Sequence, residues 1–114
     1  MTVQANDVHT LHRYAEGVMT RAGHHAQQIR AIVLAMLGGI IWRVDPGSIE
    51  IKQYDGRLAN VLWWVSTSGH KYACAYNHRS GKIEIRDRNT QGPALHSFEN
   101  STPIADVERI FTAL

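Results

Sequence analysis

The sequence predicts an α+β fold: an antiparallel meander of five to six strands, with one or two N-terminal helices and a short C-terminal helix packed on one face. Three observations predict it. Apolar residues recur at helical spacing from Val8 to Met36. From Trp42 to Asp87 apolar and polar residues alternate with period two, broken at Pro46-Gly47, Asp55-Gly56, Ser68-Gly69 and Arg79-Ser80-Gly81. Ser101-Thr102-Pro103 then opens a second amphipathic stretch that runs to Leu114.

Met1 to Ala5 reads as a frayed end, and Asn6 or Asp7 as a helix cap. The stripe Val8, Leu11, Ala15, Val18, Ala22, Ile29, Val33, Met36 is close to a heptad, weakest between Ala22 and Ile29. One helix from Asp7 to Leu37 would be roughly 45 Å long. A domain of this size has a radius of gyration near ~13 Å, so that helix would overhang its sheet. Two helices with a break around Thr20 to His24 fit better, since Gly23 and His24-His25 fall where the stripe fades. Ile29 to Leu37 is apolar almost all round and should lie against the sheet. Gly38-Gly39 is read as its end.

Five strands follow in this reading: Ile40 to Val44, Ser48 to Gln53, Leu58 to Thr67, His70 to His78 and Lys82 to Asp87. Ala94 to Glu99 makes a sixth at the edge. A two-residue loop at Ser68-Gly69 pairs Val65 with Tyr72, Trp63 with Cys74, Trp64 with Ala73 and Leu62 with Ala75. A three-residue loop at Arg79-Ser80-Gly81 sets Ile85 beside Ala75. Asp55-Gly56 sets Ile49 opposite Leu62 and Ile51 opposite Asn60. Pro46-Gly47 pairs Arg43 with Glu50. One core face results: Trp42, Val44, Ile49, Ile51, Leu62, Trp64, Ala73, Ala75, Ile83 and Ile85. The opposite face then carries Val61, Trp63, Val65, Tyr72, Cys74 and Tyr76, an aromatic block rimmed by charge, and such patches mark interaction surfaces. Thr102 and Pro103 start the last helix, whose buried stripe is Ile104, Val107, Ile110, Phe111 and Leu114.

The 114 residues are read as a single α+β domain, 1-114. A net charge of +2 is no nucleic-acid footprint by itself. One Cys excludes an internal disulfide and fits a reducing, cytoplasmic setting. The longest apolar run, Ala31 to Trp42, is too short to span a bilayer.

Seven histidines invite a metal. His9, His12 and Glu16 share a helix face, but no HExxH or cysteine spacing supports ligation, so neither metal nor cofactor is expected. His70, Tyr72, Cys74, Tyr76 and His78 alternate along one strand. Four residues of strand span about 13 Å, so neither His70 nor His78 reaches Cys74 directly, and a packed, inert thiol is the simpler reading. His78, Arg79, Lys82, Arg86 and Arg88 form a basic edge, diluted by Glu84 and Asp87; nucleic acid is the weakest of the partner readings. His96 lies on the edge strand beside Phe98.

With the helical N-terminus, the segment WRVDPGSIEIKQYDGRLANVLWW and the terminal STPIADVERIF, the chain resembles proteins encoded on mobile integron gene cassettes. The resemblance is one of size and layout and carries over no site residue. It implies a bacterial cytoplasmic protein of unassigned function, often homo-oligomeric, in some cases with a small-molecule pocket. The reading is a binding or interaction protein, a dimer or larger, with Trp63, Tyr72, Cys74, Tyr76, His70, His78 and His96 as ligand or interface candidates. The alternatives are an enzyme of unknown reaction with a histidine acid/base in an aromatic-lined cleft, and a weak nucleic-acid binder.

Overall fold

The computed structural model describes all residues, 1–114. Six antiparallel strands form one sheet in chain order: β1 (Thr2–Gln4), β2 (Glu50–Tyr54), β3 (Arg57–Val65), β4 (Lys71–Asn77), β5 (Lys82–Asp87) and β6 (Ala94–Phe98). Helices α1 (Val8–His25) and α2 (Gln27–Arg43) lie between β1 and β2, and α3 (Ile104–Ala113) follows β6. All three cover the same face. No helix is long and apolar enough to cross a membrane.

The N-terminal residues are not frayed. Thr2, Val3 and Gln4 pair with Lys52, Ile51 and Glu50. The partner of this strand lies more than forty residues downstream, and a three-residue strand carries no periodic signal of its own. Asp7 caps α1, its carboxylate accepting from Thr10 N–H at 2.7 Å. Tyr14, Val18 and Ala22 bury one side of α1, which packs on β3.

The helical region does break, slightly later than expected, at Ala26 (φ −151°, ψ 58°). Asn100 holds the break from across the sheet. Its Oδ1 accepts from Ala31 N–H and Ile32 N–H, each at 3.0 Å, and its Nδ2 donates to the Gln27 carbonyl at 2.8 Å. Its backbone N–H donates to the Gln28 carbonyl at 2.7 Å. One amide side chain is thus wedged into the first turn of α2.

Gly38-Gly39 does not end α2, which runs on to Arg43. A β-carbon on Gly39 would lie 2.7–2.8 Å from three atoms of the Phe111 ring. Glycine here lets α3 approach α2, and helical packing outweighs a propensity cost of about 1 kcal/mol. The strand expected at Ile40 to Val44 therefore does not form. What remains of it is a bridge between Val44 and Ser66, and Trp42 is exposed. The Pro46-Gly47 hairpin and the Arg43–Glu50 pairing fall with it.

Around the middle of the sheet the register differs from the expected one by a single residue, twice. Gly69 (φ +91°) is the third residue of its loop, not the second. Gly69 N–H donates to the Ser66 carbonyl, and Ser66 pairs with His70 around Thr67-Ser68-Gly69. Leu62 therefore faces Cys74 and Trp64 faces Tyr72. The next loop holds four residues, His78 to Gly81, so that Cys74 faces Ile85 and Tyr76 faces Ile83. The two offsets cancel between β3 and β5 and invert β4 alone. Tyr72 and Cys74 lie in the core, while Ala73 and Ala75 join Val61, Trp63 and Val65 on the outer face. The continuous aromatic block of the sequence reading does not exist.

Asp55-Gly56 turns as expected, both residues at positive φ, with Tyr54 opposite Arg57. Two extra residues of β3 are then accommodated between Leu58 and Leu62, which brings Ile51 opposite Leu62. An even offset preserves the faces. The core is built from Ile51, Leu62, Trp64, Ile85, Phe98, Met36 and Phe111, each at most 2% exposed. In α3, Val107, Phe111 and the following Leu114 are buried as expected, but Ile104 is 68% exposed. The Thr102 hydroxyl accepts from Glu99 N–H instead of capping the helix.

Candidate functional site

The break between α1 and α2 leaves a cleft over the end of the sheet. It has a volume of about 360 Å³ and is floored by Val18, Ala22, Ile29 and Ile83. Its polar rim is Arg21 and His25 from α1, Asn60 from the irregular part of β3, Tyr76 from the end of β4 and His78 from the loop that follows it. An apolar floor with a few convergent polar groups is the usual form of a small-molecule site.

Each rim group has a structural reason for its place. Asn60 sits where β3 departs from regular pairing, which frees its groups for α1. Its carbonyl accepts from Tyr14 Oη at 3.0 Å and its Oδ1 accepts from Arg21 Nε at 2.6 Å. Arg21 lies back over the preceding turn of α1, as helical side chains do. A β-carbon on Gly17 would stand 3.1 Å from both of its terminal nitrogens, so Gly17 provides room for the guanidinium. Arg21 Nη2 is buried with no hydrogen-bond partner, and no carboxylate pairs with Arg21. Tyr76 Oη accepts from Gln28 Nε2 at 3.2 Å, while the same Gln28 nitrogen reaches the Gly81 carbonyl at 3.1 Å. Tyr76 and His78 stack edge to face with centroids 4.9 Å apart.

Of the seven candidate residues, the cleft brings together Tyr76 and His78. At the other end of β4, His70 Nε2 is 2.7 Å from Asp87 Oδ1 and its ring lies 4.7 Å from that of Tyr72. Burial, with the Asp87 charge behind it, raises the Tyr72 phenol above its ordinary value. Cys74 is sealed between these places. Burial pushes its thiol up to about 12, against a smaller opposing effect of the Trp64 indole N–H. Trp63 remains on the outer face, apart from the other aromatics. His96 is on the helix-covered face of β6, where burial and then the Arg109 charge lower its pKa. Arg21, His25, Asn60 and the wedge Asn100 carry no signal in the sequence, because each acts through partners 39 or more residues away or on another element.

The basic edge is largely paired. Arg86 Nη2 meets Glu84 at 2.6 Å, Lys82 meets Glu99 at 3.6 Å, and Arg88 approaches Asp87 at 4.0 Å. No three His, Cys, Asp or Glu side chains converge to hold a metal ion.

The family model described as "Integron cassette protein VCH_CASS1 chain" matches residues 11–108, a span that includes every residue of the cleft rim. No curated protein matches the chain.

Proposed function

The chain belongs to the integron cassette protein family, and from that premise and the chemistry of the cleft we propose that it is a non-catalytic small-molecule binding protein acting as a homo-oligomer. The observation that carries this reading is the cleft itself: an apolar floor, with Arg21, His25, Tyr76 and His78 converging on its rim. Its volume lies in the range of ordinary ligand pockets. A single domain working in the cytoplasm is part of the proposal, supported by one shared core and a lone reduced cysteine.

The test is a fragment screen on the full chain read by NMR shift mapping. Hits should perturb Val18, Ile29, Tyr76 and Ile83, and Ala22→Leu, which fills the floor, should remove them. Hits that map to the outer face of the sheet, or that survive Ala22→Leu, would place the function elsewhere.

Association is supported by an exposed stripe. Leu34, Ile41 and Trp42 on α2 are 57%, 56% and 56% exposed, and Ile104 of α3 is 68% exposed beside Trp42. Between Arg30 and Arg43 the helix has no charged residue. Together these side chains present on the order of 500 Å², and two copies would bury about 1,000 Å², where specific interfaces begin. A two-fold contact between α2 faces is therefore the proposed association, in place of the aromatic sheet face. Light scattering should give a dimer that Ile41→Lys converts to half its mass. A wild-type monomer at every concentration would overturn it.

A catalytic reading has one observation behind it, the His70–Asp87 pair beside Tyr72, since a carboxylate-oriented histidine is how a general base is built. The one thiol of the chain is buried and protonated, which leaves this pair without it as a nucleophile. The pair also joins the start of β4 to the end of β5, and a strand clamp accounts for it.

A further inference from the structure

We propose that the ligand of the cleft is a small organic carboxylate, its anionic head on Arg21 and its apolar body over Val18, Ile29 and Ile83. The proposal rests on the cleft being a ligand site and adds the chemical class.

Arg21 is the observation that points to an anion. A guanidinium presents five N–H donors, and the chain supplies one acceptor to it, Asn60 Oδ1 on Nε. Nη2 is buried with nothing to accept from it. Leaving a charged donor unsatisfied in the interior is costly, and natural folds pair such groups. No Asp or Glu lines the cleft. The other polar side chains on it are His25, Asn60, Tyr76 and His78, none of them a carboxylate. An anion from outside the chain would supply the acceptor that the cleft lacks.

A carboxylate fits better than a bare inorganic anion for two reasons. The guanidinium fork matches the two oxygens of a carboxylate in plane. The floor next to it is aliphatic, which favours an apolar body attached to the head. Tyr76 adds a second donor: its oxygen is occupied as acceptor by Gln28 Nε2, which leaves its own O–H proton to give. Gly17 keeps open the space that the guanidinium occupies.

The probes are benzoate and benzamide, which share shape and differ in charge. Each is titrated into the full wild-type chain to about 10 mM, above the ~1 mM dissociation constant of a fragment-sized ligand, with chemical shifts as the readout. The expected result is benzoate binding that moves His25, Tyr76 and His78, with benzamide weaker by about tenfold or more. Arg21→Gln should bring benzoate down to the benzamide level, and Arg21→Lys should recover part of the loss; melts of both variants report their folding. Equal binding of the two probes in the cleft would overturn the carboxylate and leave the cleft reading standing. Absence of any shift on the cleft with either probe would overturn both.

Discussion

Two adjacent glycines in α2 should respond oppositely to alanine. Either substitution removes a flexible residue from a helix interior and on that account stabilises by about 0.5–1 kcal/mol. At Gly38 nothing lies within 4 Å of the added carbon, so the whole gain should appear. At Gly39 the added carbon would stand 2.7–2.8 Å from three Phe111 ring atoms, roughly 1 Å inside ordinary carbon contact. The ring cannot withdraw. Phe111 is 1% exposed, with the Trp64 and Phe98 rings each 6.3 Å away. Overpacking of this kind costs about 1–3 kcal/mol. Because the helix contribution is common to both variants, their difference isolates the overpacking. Gly39→Ala should lie about 1–3 kcal/mol below Gly38→Ala in urea titrations, and several degrees below it in melting temperature. Gly38 belongs to the exposed α2 face, so both variants are compared where scattering gives one mass. If Gly39→Ala is as stable as Gly38→Ala, α3 does not pack on α2 as described.

Three further outcomes follow. The Cys74 thiol rises from 9.0 to about 12 on folding, so the unfolded chain loses this proton first and the thiol's share of stability, at most about 4 kcal/mol, should be lost as pH climbs from about 9 towards 12; the buried Tyr14 phenol, also raised, adds to the fall, so Cys74→Ala should reduce that slope without removing it, and an unchanged slope would mean the thiol is not buried. Asn100→Ala should cost about 1–3 kcal/mol and speed amide exchange in the first turn of α2, whereas a cost too small to measure would show that the wedge does not hold the helix. Gly17→Ala should raise stability by up to about 1 kcal/mol and yet weaken benzoate binding severalfold as Arg21 is displaced; a stabilised variant with unchanged affinity would remove Gly17 from the site.

Much of the sheet was legible because turns and two-residue alternation are local. Asp55-Gly56 could be read directly, and β5 has the bounds expected of it. The inversion of β4 shows the limit. A glycine marks a turn but does not count the residues in it, and Gly69 as second or third loop residue decides which side of the sheet receives Cys74. The two miscounts cancelled across β4, so the aliphatic residues of β3 and β5 agreed with each other while the strand between them was reversed. Gly38-Gly39 was misread for a different reason. A glycine that ends a helix and a glycine that admits a neighbouring ring are the same letter, and Phe111, the ring concerned, lies some seventy residues on. Two of the five rim residues, Tyr76 and His78, were legible as aromatic candidates on a strand. Arg21 and Asn60 were not, since an unpaired guanidinium exists only relative to everything folded around it.

Asn100 also sets an order of events. It follows β6 directly, yet its partners are Gln27 and Ala31, 73 and 69 residues earlier. The first turn of α2 cannot be secured until the last strand is in place, and contacts closing so long a loop form late and slowly. The wall of the cleft contributed by α2 should therefore be among the last parts of the molecule to become rigid, and its amides among the last to gain protection in pulsed exchange during refolding. During synthesis, a nascent chain stopped short of Asn100 could hold most of its sheet and still bind nothing in the cleft. A ligand that needs this wall would act on the finished fold alone, and by mass action would favour it over every partly folded form.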